Sequence, residues 1–521
     1  MSNHQQAASN IPESTENCED FHARLLRQFS ADEMSLIVQL KRLFEWAQGD
    51  PAFEKQLTSG NMSPATVERL QRIGITFNLD EVAILWKYPE AAQRFVLNCQ
   101  ARHEEALPEE IMQKIAEYPL FVLWGRYLSA KNRLFRNYMG NIAEKVIRIP
   151  ANPKFDAWRL RRIAATKSEL GYFSYMLDHP ILAFELGDGC SVGCWFCAFA
   201  THKLTQNFDY TEHRDFFRQV TYACVDLFGR YETSLALLYY GTEPHDNPHY
   251  LDFVKDYTEI TGFPVCTSTA VPTDPVWMRE LIAFYRQSNS PWPRLSVLSK
   301  AMLHQIHDLY SPEELRDVEL LMQIKHGPRQ KVSGGRILKE EAGLREREQG
   351  HYLDEIVPQG SIACVSGFLI NMVRRTIQIV SPCYTSQKWP YGYRVFDEAT
   401  FADAEDFHRV MQALIDRNMP ENPPKDMLMQ FRDDFIYRPT ESGFELASPN
   451  QIHHFRNAAL HKPLGNLLAE GTHSYDELYD IMTKQHGCNP MIVVVALKNL
   501  FDNGFLNEVN AHSGVSSTSE C

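Results

Sequence analysis

The sequence predicts an α/β fold: a partial barrel of about six βα units, with an N-terminal helical domain before it and a small winged-helix-like domain after it. Three observations predict this. From about residue 180 to residue 325, short apolar runs alternate with amphipathic stretches of helical length, the signature of a parallel sheet with helices outside it. Upstream, apolar residues recur at helical spacing. Downstream, an alternating hairpin leads into three helices with recognisable starts. At 521 residues the chain is long enough for roughly three domains of about 150 residues. Its 44% apolar and 23% charged content is that of an ordinary globular protein.

The expected boundaries are a polar tail over 1–19, a helical domain over 20–150, the partial barrel over 151–400, a connector over 401–430, the winged-helix-like domain over 431–510 and a second tail over 511–521. In the first domain Phe21, Leu25, Phe29, Met34, Ile37, Leu40, Leu43 and Phe44 mark a helical face. Gly49-Asp50-Pro51 breaks it, and helices follow around Pro64–Ile73, Asp80–Trp86, Pro89–Arg102 and Pro119–Tyr138. Phe155–Leu177 is a helix leading to the first strand. Strands are expected at Ile181–Leu186, Ser234–Tyr240, Phe263–Thr269, Arg294–Leu298 and Leu320–Ile324. The helices between them fall at Tyr210–Phe228, Pro248–Thr261, Pro275–Gln287 and up to about Tyr310. Leu338–Glu355, rich in Glu and Arg, reads as a solvated helix or loop. Gly367–Pro382 gives two β-rich runs around Arg374-Arg375. Met411–Arg432 is a helix or connector interrupted by prolines. A hairpin over Asp433–Ala447 turns at Glu441-Ser442-Gly443. Helices at Ile452–Leu468, Tyr475–Gln485 and Met491–Asp502 follow, the second capped by Ser474 and the third by Asn489-Pro490. Phe505–Val509 is a final strand.

The net charge of −14 argues against a general nucleic-acid binder. No run approaches the ~18 apolar residues of a membrane span, and the polar N-terminus has no apolar h-region. Eleven scattered cysteines, an odd number in a large chain, suit a reducing cytoplasm.

Chemistry concentrates after the first strand, in Gly187-Asp188-Gly189-Cys190-Ser191-Val192-Gly193-Cys194-Trp195-Phe196-Cys197. Three glycines make this a tight loop. The C-x3-C-x2-C spacing can aim three thiolates at one point. Iron–sulfur clusters are usually held by four thiolates, so three leave one iron open. A zinc site with His202 as fourth ligand is the plainer alternative, although structural zinc favours paired C-x2–4-C units.

The motif resembles that of the radical S-adenosylmethionine (SAM) superfamily, in which an aromatic residue, here Phe196, precedes the third cysteine. The resemblance implies one [4Fe–4S] cluster on Cys190, Cys194 and Cys197, with SAM chelated at the open iron. It also implies that Gly241-Thr242-Glu243, ending the second strand, is the superfamily's Gly-Gly-Glu-like turn, with Thr242 in place of the second glycine and Glu243 on the SAM amino group. By the same strand-end logic Ser268, Thr269 and Ser296 are in position to reach the SAM ribose or carboxylate.

Ile379-Val-Ser-Pro-Cys383 and Trp389-Pro-Tyr-Gly-Tyr carry a narrower resemblance, to radical SAM peptide epimerases of the proteusin type. In these a cysteine thiol returns hydrogen to a Cα radical from the opposite face, turning an L-residue into a D-residue. The resemblance gives that role to Cys383, expected at the C-terminal edge of its strand beside the cluster. Cys364 is the alternative donor. The C-terminal domain resembles the module, related to a small quinone-pathway chaperone, that binds leader peptides by adding them as a strand. A DNA-binding winged helix is the rival; its recognition helix Met491–Asp502 carries a single base, Lys498, too few for phosphate contacts. The implied partners are therefore a precursor peptide and a flavodoxin- or ferredoxin-like electron donor, with no nucleic acid and no membrane. Cysteines for auxiliary clusters are lacking. The alternatives are a radical SAM peptide cyclase or other carbon-modifying enzyme, with Cys383 structural, and a non-catalytic, metal-stabilised peptide-binding protein.

Overall fold

The computed structural model describes residues 21–101, 105–146, 152–288, 290, 293–325, 334–338 and 360–508. The two expected tails and nearly all of the Glu/Arg-rich stretch after Leu338 lie outside them. The fold is mixed α/β with several small sheets and, among the described residues, no closed barrel. No helix of the described residues is long and apolar enough to cross a membrane.

The chain forms two compact units. The first comprises Met1–Glu144, Thr273–Pro293 and Lys300–Leu320, so the helices Pro275–Gln287 and Lys300–Leu309 belong to it despite their distance in sequence. The Gly49-Asp50-Pro51 break is a shared cap. Asp50 ends the helix Ala31–Gly49 and N-caps Pro51–Ser59 by accepting from the Ala52 and Phe53 amides. Buried Arg42 ties the unit together by donating to the carbonyls of Ile73 (2.8 Å) and Tyr310 (2.6 Å).

The second unit comprises Lys145–Pro272, Arg294–Ser299 and Leu321–Cys521. Asn152 and Pro153 start its first helix, Pro153–Leu170. β1 (Leu182–Glu185) follows. A two-stranded ribbon, β2 (Gly187–Asp188) with β3 (Gln206–Asn207), comes next. The expected strand Ser234–Tyr240 is reduced to one bridging residue. Its start is taken by the helix Arg230–Ser234, and Leu237 alone pairs in parallel with Ala183 on one side and Cys266 on the other. β4 (Thr267–Thr269), β5 (Pro293–Val297) and β6 (Glu319–Met322) form a three-stranded sheet in that order.

Among the described residues no sixth unit continues this row. β7 (Gly367–Asn371) returns to the other side of β1, in parallel, with Phe368 opposite Leu182. β8 (Thr376–Pro382) and β9 (Tyr393–Thr400) then extend the sheet antiparallel, in the order β1-β7-β8-β9. Expectation and structure part here. β8 runs against β1, so its C-terminal end, with Cys383, lies level with the start of β1. The cysteine loop follows the other end of β1. Ala404–Asn418 is helical, earlier than expected.

The C-terminal region has its own core, including Phe444, Leu446, Leu464, Leu478, Leu497 and Phe501. The expected hairpin is β10 (Ile436–Thr440) and β11 (Gly443–Ala447). The stretch expected to open a helix at Ile452 is instead a third strand, β12 (Ile452–Arg456), leaving β11 central. The helix Ala458–Glu470 packs on the sheet, and the helices Tyr475–Asp480 and Pro490–Asp502 share its core. Ser474 and Asn489 cap the last two as expected. The expected final strand at Phe505 is a single bridge, Leu506 to Phe431.

Candidate functional site

The three cysteines occupy a loop closed at its neck. β2 and β3 zip the two ends together, and the Cys190 amide donates to His202 O at 2.9 Å. Gly189, at φ +101°, sits where any side chain would collide with the Lys203 backbone, so only glycine permits the neck. Cys190, Cys194 and Cys197 are all half-buried, and none is in a disulfide. Burial pushes the Cys194 thiol up to about 12, reinforced by its neighbours Cys190 and Cys197 and by Glu243. Burial also raises Cys190, against the pull of the Val192 and Gly193 amides. Each thiol is therefore within electrostatic reach of another, and as thiolates the three repel one another. A bound cationic core would hold them as thiolates and offset their negative charges.

Among the described residues no group of three His, Cys, Asp or Glu side chains is placed to hold a metal ion. Nor does the zinc alternative gain its fourth ligand, because the His202 ring turns to Asp188 (Nε2 to Oδ1, 3.4 Å). In a cluster each thiolate takes a different iron, so the ligand sulfurs stand further apart than the donors around one ion. Three half-exposed thiols on one pinned loop, with no carboxylate among them, form a donor set that fits a cluster.

The Gly241-Thr242-Glu243 turn stands beside this loop. Glu243 is only 6% exposed and acts on the Cys190 and Cys194 thiols electrostatically. Its carboxylate accepts from the Thr269 hydroxyl, from the Ala270 amide at 3.0 Å and from the His245 amide at 3.1 Å. Burial raises it above the usual carboxylate range in spite of these donors. The structure thus joins Glu243 to Thr269. Half-buried Ser268 and Ser296 alternate with buried Thr267, Thr269, Leu295 and Val297, and so lie on the other face of β4 and β5. Thr242 and Phe196 are half-buried, and the Phe196 ring meets Trp195 edge-on at 5.5 Å.

Asp246 and Glu185 escaped the sequence reading. Asp246 accepts from the Ser191 amide at 2.8 Å, joining the loop to the segment after the turn. Glu185 ends β1 as the one acid in an apolar run. It accepts from the Gly241 amide (3.2 Å) and from Asn371 Nδ2 (3.0 Å), and burial holds its carboxyl up. A lone acid immediately before a metal-type loop was the signal available for it.

Cys383 and Cys364 differ sharply. Cys383 is fully buried, and its charged neighbours are Arg394, Glu169, Asp434 and Arg432. Arg394 bonds Glu169 at 2.7 Å, which lies on the helix Pro153–Leu170. None of these belongs to the cysteine loop. Cys364 instead packs on the same apolar cluster as Phe199 and Tyr240, whose rings lie 4.4 Å apart. Phe199 is two residues beyond Cys197. Cys364 also acts electrostatically on Tyr239, which accepts from Arg294 Nη2 at 3.1 Å, and is itself influenced by Cys266.

Among known proteins, the chain is 31% identical over 493 residues to a protein of Sinorhizobium fredii (strain NBRC 101917 / NGR234), covering 94% of this chain and 91% of that one. That relative bears the description "uncharacterized protein y4wI". No family model matches the chain, and no solved structure matches it.

Proposed function

The chain belongs to the family of the uncharacterized Sinorhizobium fredii protein y4wI, and we propose that it is a radical SAM enzyme acting on a ribosomally made peptide, with epimerisation as its reaction. In this reading the parallel strands are the partial barrel of that superfamily, and the C-terminal region is a winged-helix-like leader-binding domain. The observation that carries it is the pinned three-thiol loop at the end of β1 with the Glu243 turn beside it.

Cys190, Cys194 and Cys197 would hold the cluster, leaving one iron for SAM. Together the two groups supply a primary carbon radical that can remove a Cα hydrogen. Glu243 is pre-ordered by three donors beside the thiols, and Ser268 and Ser296 line the opposite face of their strands. Phe199, Tyr240 and Tyr393 form an aromatic wall, with neighbouring ring centroids 4.4 to 6.3 Å apart, which keeps water from a peptide bound against it. The thiol on this wall is Cys364, so the hydrogen donor is assigned to Cys364 and not to Cys383. For the leader, β10 and β12 are edge strands with half or more of each side chain row exposed. Met491, Ile492 and Val495 leave an apolar face on the last helix, which suits a peptide better than a phosphate backbone. A cytoplasmic setting and a flavodoxin- or ferredoxin-like reductant complete the proposal.

The test is anaerobic reconstitution, assay of iron and sulfide, then incubation with SAM, reductant and a candidate precursor in D2O. One deuteron at Cα per inverted residue is the expected result. A colourless protein without iron overturns the superfamily reading. A product lighter by two hydrogens replaces epimerisation with crosslinking. Cys364→Ala should still form 5′-deoxyadenosine but lose inversion, and Cys383→Ala should keep both; the reverse outcome returns the donor role to Cys383.

A further inference from the structure

We propose that Arg336 is a positioning residue for the three-cysteine loop, holding its carbonyls in a fixed frame and setting a positive charge beside the thiols. The inference rests on the reading of this loop as a cluster site.

Arg336 lies in the short segment Gly334–Leu338, to which the sequence assigns no role. Its backbone amide donates to Cys197 O at 3.0 Å. Its guanidinium donates from Nη1 to Cys194 O at 2.8 Å and from Nη2 to Thr201 O at 2.7 Å. One residue therefore satisfies carbonyls at the second cysteine, at the third and at the loop's exit. The rigid fork of arginine suits such a task; the single ammonium of lysine does not hold two separated carbonyls in one geometry. Gly335 makes the approach possible. At φ +51° it lies flat against the loop, where a side chain would collide with the carbonyls of Cys197 and Ala198. Its own amide donates to Pro390 O at 2.9 Å, so the segment is braced from behind.

The Arg336 guanidinium's two side-chain contacts are both with neutral carbonyls, of Cys194 and Thr201, so neither offsets its charge. Its charge is spent on neutral carbonyls and remains available to the site. A thiolate-held cluster becomes more negative on reduction, so a nearby cation favours the reduced state and raises the reduction potential.

The experiment uses the full chain as wild type, Arg336→Gln and Arg336→Lys. In the reconstituted proteins Arg336→Gln is expected to lose iron to a chelator several-fold faster and to show a more negative midpoint potential. Arg336→Lys, which keeps the charge without the fork, is expected to restore the potential while still losing iron quickly. Wild-type values for both quantities in Arg336→Gln overturn the proposal. The metal-free chains are compared by alkylation and mass spectrometry, with buried Cys224 as the internal control for folding. Faster labelling of Cys194 and Cys197 in Arg336→Gln, with Cys224 unchanged, is expected, and equal rates overturn the clamp. A wild type that takes up no iron removes the cluster reading alone, because the alkylation ratio still decides the clamp.

Discussion

Glu185 and Gly241 show how little room the site has. A Cβ on Gly241 would stand 2.9 Å from Glu185 Oε1 and 3.1 Å from Thr201 Oγ1. Gly241→Ala must displace the carboxylate that holds its own amide, and overpacking of this kind costs about 1–3 kcal/mol. Urea unfolding at neutral pH measures it. His179, just before β1, tests the acid limb. It is 6% exposed and its Nδ1 lies 2.8 Å from Ser366 Oγ. Burial, helped by Arg159, brings its imidazole down to about 4. The unfolded chain takes up this proton near pH 6.5, the folded chain only near 4. Between those values the unfolded state binds more protons, so stability rises with pH and is lost as pH falls through the window. His179→Asn keeps a residue that tolerates the observed φ of 50°. On going from pH 7.5 to pH 5 it should lose about 2 kcal/mol less than the wild type; equal losses would show that His179 is not the acid-sensitive group.

Elements with local signals were legible, and those set by distant partners were not. The Ser474 cap was readable because Glu477 completes a capping box three residues on. Ser474→Ala should therefore cost about 1 kcal/mol, visible as a lower denaturant midpoint, and Ser474→Asp should recover most of it. The helix Pro275–Gln287 was readable to the residue from Asp274-Pro275. Strand direction was harder. The apolar run before Cys383 announces a strand whichever way it points, and the superfamily pattern suggested parallel. Only a few residues separate Asn371 from Thr376, whereas a parallel crossover needs a dozen or more. That spacing already called for a hairpin and for Cys383 at the far edge. β12 was taken as helical because Ile452-His-His-Phe-Arg456 has no alternation strong enough to outweigh the helix after it. Leu237 pairs as one residue because the hydroxyls of Thr233 and Ser234 bond local carbonyls and continue the helical turn. In the site, the thiols and the Glu243 turn were legible as motifs. Glu185, Asp246 and Arg336 were not, because they act through backbone groups far away in sequence.

At the scale of the molecule, Glu508 locks the second unit from within. Arg161 and Arg162, each 1% exposed, both bond Glu508. Arg161 also lies over the Phe501 ring at 4.1 Å. Removing the acid leaves two buried cations without their partner, a loss of about 3–5 kcal/mol. Glu508→Ala should show it as a large drop in the denaturant midpoint, with Glu508→Gln smaller; a midpoint within error of wild type would place both arginines in water. The same interplay of near and far sequence has a bearing on time. Arg336 follows Cys194 by 142 residues. At the ~5–20 residues per second of translation, the loop therefore emerges roughly 7–28 s before the guanidinium that closes on it exists. For that interval a nascent chain offers three reactive sulfurs without their brace, a window in which a delivery factor can load them and in which an oxidant can reach them first.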